Sequence, residues 1–156
     1  MKIREATAED LPRLVELLAQ DELGSAREAS GGTVADAYIA AFDAISSDPN
    51  NQVVVGELDD EIVCTLQLTF LPHLTFHGGW RAQIEGVRVA FDHRGQGFGG
   101  HLLEWAVEQA RDRGCHLVQL TTNKLRHEAL RFYEALGFEP THEGMKLNLA
   151  ERVVDL

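Results

Sequence analysis

Apolar positions change their spacing several times along this chain, and each change marks an element. Leu11, Leu14, Val15 and Leu18 recur at helical spacing. They follow Thr7, Glu9-Asp10 and Pro12, which supply an N-cap, acidic first-turn charge and a preset φ. The stretch from Lys2 to Ala6 before them reads as a short strand. Gly24 to Gly32 is small, polar and glycine-rich and predicts a mobile connection. Helical spacing resumes over Thr33 to Ser46 through Val34, Tyr38, Ile39, Phe42 and Ile45, and it stops at the turn Asp48-Pro49-Asn50-Asn51.

Strand patterns follow. Gln52 to Leu58 and Glu61 to Phe70 predict two strands joined as a hairpin at Asp59-Asp60. Trp80 to Val89 predicts another after a histidine-bearing loop, His73 to Gly79. Gln96 to Arg113 is the clearest helix, with Leu102, Leu103, Ala106, Val107 and Ala110 on one side and Gly114 as its terminator. That helix feeds a parallel strand at Leu117 to Thr121. Arg126 to Leu136 is helical again, with Gly137 in the C′ position, and Pro140 to Leu149 predicts a last strand. The order is β-α-α-β-β-β-α-β-α-β, an α/β (α+β) chain with a central sheet.

Length and charge narrow this picture. At 156 residues and 44% hydrophobic, the chain suits one packed domain, 1–156, and is short for two. Lys plus Arg (14) less Asp plus Glu (25) gives −11, which argues against nucleic acid or an anionic membrane as partner. A cationic acceptor would be tolerated, although acidic excess also serves solubility. The two cysteines, Cys64 and Cys115, are too few for a disulfide framework and read as buried thiols of a reducing compartment. The N-terminus has no signal-type apolar core and no run reaches the length of a membrane span, so the expected location is the cytoplasm.

The candidate chemistry begins at Gly86 to Gly100, G-V-R-V-A-F-D-H-R-G-Q-G-F-G-G, where a strand passes through a glycine loop into a helix. Glycines let backbone amides approach an anion, and the helix N-terminus favours negative charge, so this segment can cradle a pyrophosphate. Gly95-x-Gly97-x-x-Gly100 also satisfies the dinucleotide-binding pattern, but the next strand leads into Thr121-Thr122-Asn123 without the carboxylate that would hold a ribose. No Gly-Lys-Ser/Thr follows, which disfavours a nucleotide hydrolase.

Arg94, Gly97 and Gly99 fit instead the pattern Arg/Gln-x-x-Gly-x-Gly/Ala behind Val87-Arg88-Val89, and Ala129-Leu130-Arg131-Phe132-Tyr133-Glu134-Ala135-Leu136-Gly137-Phe138 fits A-x-x-F-Y-E-x-x-G-F. With these two motifs in order, the chain resembles the GNAT superfamily of acyl-CoA-dependent N-acetyltransferases from about Lys2 to Leu149. The resemblance implies a mixed, mostly antiparallel sheet of six to seven strands, flanked by about four helices and splayed between strands 4 and 5 to admit acetyl-CoA. It also implies backbone pairing of Val87 and Val89 with the pantetheine arm. The pyrophosphate loop would be Arg94, Gly95, Gln96, Gly97, Phe98, Gly99 and Gly100, and Asn123 would contact the arm from the end of strand 5. Many members carry Asn seven residues before the motif tyrosine; here that position is Arg126, which could reach a CoA phosphate or lie in solvent.

Catalytic roles follow from the same resemblance together with the chemistry. An alkylammonium has a pKa of about 10 and must lose a proton before it attacks a thioester. Glu85 matches the glutamate that removes it in many members, and its neighbours Gln83-Ile84 and Gly86-Val87 predict partial burial; the structural alternative is a solvated strand glutamate. Tyr133 matches the tyrosine that protonates the departing thiolate, against the alternative of a core tyrosine on the Ala129, Phe132, Leu136 face. Neither cysteine lies in a nucleophile motif, so the amine attacks directly.

His73 and His77, with Trp80, are expected to border the acceptor pocket. Seven histidines raise a metal, but two of them four apart in a loop lack a third donor, and no metal ligands are assigned. Phe70-Leu71-Pro72-His73-Leu74 to Trp80 and Thr121-Thr122-Asn123-Lys124 also resemble aminoalkylphosphonate N-acetyltransferases, some of which use a divalent ion. The expected function is acetyl transfer from acetyl-CoA to the primary amine of a small molecule or peptide, compatible with a homodimer. The alternative is a non-catalytic acyl-CoA-binding or sensor domain.

Overall fold

The computed structural model describes residues 1–20, 23 and 34–149. By contact density it divides into two compact units, Met1–Leu120 and Thr121–Leu156. The connection expected over Gly24 to Gly32 lies outside the described residues.

The first unit runs β1 (Lys2–Glu5), α1 (Leu11–Ala19), α2 (Asp36–Ser46), β2 (Asn51–Leu58), β3 (Glu61–Pro72), β4 (Trp80–Val89), α3 (Phe98–Asp112) and β5 (Cys115–Leu120). Its strands lie in the order β1-β2-β3-β4-β5. The first four pair antiparallel and β4 pairs parallel with β5. This is the parallel return predicted for a strand fed by a crossover helix. The hairpin forms where expected: Leu58 pairs with Glu61, and Asp59 and Asp60 take φ of 50° and 64°. Two successive positive φ values match the right-handed twist of the flanking strands.

Alternation along the strands sorts the two faces of the sheet. Leu66, Leu68 and Phe70 of β3 and Ala82 and Ile84 of β4 are buried, and α3 packs on β3, β4 and β5 through Leu102, Leu103, Ala106 and Ala110. On the other face Val55 joins Leu11, Leu14 and Leu17 of α1 and Phe42 of α2 in a second cluster. Arg4 ties β1 to the turn before α1: it meets Asp10 at 2.7 Å and Glu57 at 2.9 Å. The Arg4 guanidinium holds the Asp10 carboxyl below its usual range, so this contribution is present above the ordinary carboxylate pKa and is lost as the pH falls through the depressed one.

The second unit contains α4 (His127–Ala135), whose Phe132 and Tyr133 are half-buried, as is Leu136 just past its end. The strand expected over Pro140 to Leu149 is not formed, and among the described residues the sheet has five strands rather than six to seven. Met145, Leu147 and Leu149 alternate as a strand would, yet they stand 93%, 63% and 78% exposed. Alternation selects a face only when a neighbouring strand is there to pair with it. No described helix is long and apolar enough to cross a membrane.

Candidate active site

The site is laid out along β4, which changes character at its middle. Trp80–Ile84 pairs with β3 on one edge and with Cys115–Leu120 of β5 on the other, and the β5 pairing stops at Ile84–Leu120. Thr65 faces Arg88 and Gln67 faces Glu85, so Gly86 and Val87 together oppose the single residue Leu66. This is a β-bulge with Gly86 at φ 63°. Beyond it, among the described residues, the strand continues to Val89 paired with β3 alone. The β5 pairing ends with β5 itself, at Leu120, so β4 outruns its parallel neighbour by the five residues Glu85–Val89.

The hydrogen-bond phase fixes which backbone groups of this segment face away from β3. Ala90 donates to the Val63 carbonyl, which directs residue 90 toward β3 and residue 89 away from it. The Val89 carbonyl accepts from Arg94 Nε at 3.1 Å, and the Val87 carbonyl accepts from Arg88 Nη1 at 2.7 Å.

After a short turn at Phe91–His93, the chain enters the glycine loop and α3. Gly97 caps the helix in the left-handed region, at φ 86° and ψ 0°, and a Cβ there would meet nothing within 4 Å. The glycine is required by conformation, not by crowding. His101 makes the first intrahelical bond, to Gly97, so the amides of Phe98, Gly99 and Gly100 have no partner within the helix. Gln96 donates to the Asp92 carbonyl, and the Arg94 guanidinium lies 5.4 Å from the Phe91 ring centre. Free amides, an arginine and a helix N-terminus fit an anionic pyrophosphate.

Sequence reading missed Gln20, whose Oε1 accepts from the Phe91 amide at 3.1 Å and ties the end of α1 to the loop entry. Its position carries no motif; only the folded chain brings residues 20 and 91 together.

Glu85 stands on the face opposite Ile84 and is exposed, so the expected partial burial of its carboxylate is not observed. Apolar neighbours in a strand bury their own side chains on the other face. Gln83 lies two residues back on the same face, and its Oε1 accepts from Gln119 Nε2 at 2.8 Å. Arg81 is two residues further back. His73, His77 and Trp80 gather at this start of β4: His73 Nδ1 is 3.1 Å from the Leu71 carbonyl, and the Trp80 carbonyl accepts from His116 Nδ1 at 2.8 Å. They lie five or more residues before Glu85, about 17 Å along the strand for Trp80. Phe76 and His77 take φ of 54° and 56°. Left-handed backbone at such residues costs roughly 1–2 kcal/mol each. Among the described residues no three His, Cys, Asp or Glu side chains converge as metal ligands.

In the second unit Asn123 Oδ1 accepts from the Leu125 amide at 2.9 Å in the turn that leads to α4, and Arg126 occupies the N-cap position. Tyr133 packs edge-on against Phe132 and Phe138 at ring distances of 5.2 and 5.9 Å. The cysteines are not activated. Burial pushes the Cys64 thiol up to about 11 and raises that of Cys115, although Cys115 is half-buried where full burial was expected.

A strand end without a β5 partner, followed by a helix-capping glycine loop, is the arrangement expected of an acyl-CoA-binding domain, and the comparisons give the family. The profile of the acetyltransferase (GNAT) family matches residues 12–138, and the chain belongs to that family. It is an acyltransferase with acetyl-CoA as donor. It is 32% identical over 144 residues to the aminoalkylphosphonate N-acetyltransferase of Salmonella typhimurium, covering 90% of this chain and 86% of the relative. Its fold is similar to a crystal structure described as a transcriptional regulator from Bacillus halodurans, with TM-score 0.92 and 52% identity over 94% of this chain and 98% of that one. An acetyltransferase of Trypanosoma brucei is similar at TM-score 0.77 and 27% identity, covering 95% and 99%.

Proposed function

We propose that the chain, acting as one acetyltransferase domain, transfers the acetyl group of acetyl-CoA to a primary amine of a small molecule by direct attack. The observation that carries this reading is that β4 runs on past the end of β5, so that among the described residues the Val87–Val89 edge has no strand partner in the segment that leads to the Gly97-capped helix. Bound there, acetyl-CoA supplies an activated acyl carbon. Val87 and Val89 hold the pantetheine arm through their backbone, and Asn123 is the side chain that the family resemblance assigns to the same arm. The Arg94–Gly100 loop holds the pyrophosphate, and Arg126 reaches a phosphate.

Glu85 takes the proton of the ammonium, directly or through water, which its exposure permits. The nitrogen then bonds to the acetyl carbon, the carbon–sulfur bond breaks as Tyr133 gives its phenolic proton to the leaving sulfur, and the second proton of the nitrogen passes through water to restore the Tyr133 hydroxyl. The raised pKa values of both thiols support attack without an acyl-cysteine stage. A small-molecule acceptor is supported by the similarity to an enzyme named for aminoalkylphosphonates.

The test is release of free thiol from acetyl-CoA across a panel of amines, with Tyr133→Phe alongside. Loss of one hydroxyl should lower kcat by roughly 10²-fold and leave KM for acetyl-CoA nearly unchanged, because that interaction strengthens only as sulfur leaves. Wild-type kcat in Tyr133→Phe would return the residue to a packing role. Intact acetyl-CoA binding without thiol release for any amine would reduce the chain to an acyl-CoA-binding domain.

A further inference from the structure

Arg81, Gln83 and Glu85 alternate with the buried Ala82 and Ile84, so all three side chains share one face of β4. Across that face Asn51 of β2, Thr69 of β3, Gln83 of β4 and Gln119 of β5 stand in a single register row. The row is joined by hydrogen bonds from Thr69 to Asn51 and from Gln119 to Gln83. It is polar and uncharged. Glu85 lies on one side of it and Arg81 on the other.

Arg81 is underused by the fold. Its Nη2 donates to Thr75 Oγ1 at a long 3.3 Å and its guanidinium rests 5.5 Å from the Phe76 ring centre, while its Nε is buried without a hydrogen-bond partner. Among the described residues no carboxylate pairs with it, in a chain with 25 acidic residues against 14 basic ones. A half-buried guanidinium is ordinarily matched by an anion, because removing it from water is costly. The Phe76 ring is held against it by the left-handed turn at Phe76 and His77, and such local strain collects where a ligand is clamped. The ring in turn stacks on His116 at 4.9 Å.

We propose that Arg81 is an acceptor-binding residue: the acceptor lies along this face with its amine at Glu85 and carries a carboxylate, phosphonate or phosphate that the Arg81 guanidinium receives. The inference rests on the transfer reading above and specifies its substrate class. The two residues start from Cα atoms four strand positions apart, about 13 Å, and Arg81 leans toward Thr75 and so away from Glu85. The spacing selects an extended acceptor over one whose amine and anion are separated by only two carbons. The neutral row between them offers amide donors and acceptors to the middle of such a molecule, without competing for either charged end.

The experiment compares kcat/KM for 6-aminohexanoate against hexylamine and for 3-aminopropanoate against propylamine, in the wild type, Arg81→Gln, Arg81→Lys and Phe76→Ala, with thermal unfolding of each variant. In the wild type the longer acid should exceed its uncharged match by about 10-fold or more, as expected when a fixed guanidinium meets its anion, and the shorter acid should gain less. Arg81→Gln should bring the longer pair's ratio close to one through a higher KM for the acid. Arg81→Lys should keep an intermediate ratio, and Phe76→Ala, which leaves β4 untouched, should lower it a few-fold. A wild-type ratio near one, or an unchanged ratio in folded Arg81→Gln, overturns the assignment while leaving the transfer reading intact. Failure to acetylate any amine counts against transfer itself and removes this inference with it.

Discussion

The two halves of β4 are built from similar residues and do different work. Trp80–Ile84 is paired on both edges and buries Ala82 and Ile84 under α3, whereas among the described residues Glu85–Val89 is paired with β3 only and leads into the glycine loop. An unpaired edge is normally a liability, since its amides and carbonyls invite another strand. Here Arg88 and Arg94 cover two of the carbonyls, and the bulge at Gly86 falls just past the last residue paired with β5. One strand can therefore anchor a core and present backbone to a ligand, provided that a bulge separates the tasks.

The largest expected effect breaks the closed half. Ile84 is 1% exposed, and Ile84→Ala should cost about 2–5 kcal/mol of unfolding free energy by removing buried methyl groups and leaving a cavity. Denaturant unfolding measures it. A cost below about 1 kcal/mol would mean that the sheet collapses onto the space, and that this half is less rigid than its pairing implies.

Gly97→Asp acts beyond the open half. It places a carboxylate where the loop amides should meet a pyrophosphate, on a backbone at φ 86° that side chains rarely adopt. Acetyl-CoA affinity should fall by about 100-fold, equivalent to roughly 2.7 kcal/mol, while circular dichroism shows the fold retained. Unaltered binding by calorimetry would remove the loop from the donor site.

Glu85→Gln sharpens the comparison at the junction itself. At neutral pH kcat/KM should drop by at least about 10-fold, and the loss should shrink as the pH approaches the acceptor's pKa of about 10, where the amine deprotonates unaided. An equal loss at every pH would assign Glu85 to holding the acceptor in place of taking its proton.

How much of this was legible in the sequence depends on whether a signal is local. The hairpin at Asp59-Asp60, the α3 face and the span of β4 were readable because turn chemistry and periodicity act between near neighbours. The last strand was misread because Met145, Leu147 and Leu149 alternate without a partner edge. Glu85 was placed on the right strand but given burial that belongs to Ile84, one residue and one face away. Arg81 could have been found by counting alternate positions back from Glu85. The clamp from Gln20 to Phe91 could not, since it joins residues 71 apart.

The smallest effect concerns the bulge. Gly86 has φ 63°, and a Cβ built there would approach nothing closer than Leu18 Cδ2 at 3.8 Å, an ordinary contact. Gly86→Ala is therefore resisted by the backbone alone, and it should destabilise the protein by about 1 kcal/mol, the cost of left-handed geometry for a residue with a side chain. The same substitution should disturb the open half more than the closed one. Hydrogen exchange should quicken at Arg88 and Ala90, whose amides face β3, while Ala82 and Ile84 stay protected, because the strand beyond the bulge lacks the β5 side of the sheet. Uniform acceleration along β4 would show that its halves open together, and would cost the bulge its role as the boundary between core and site.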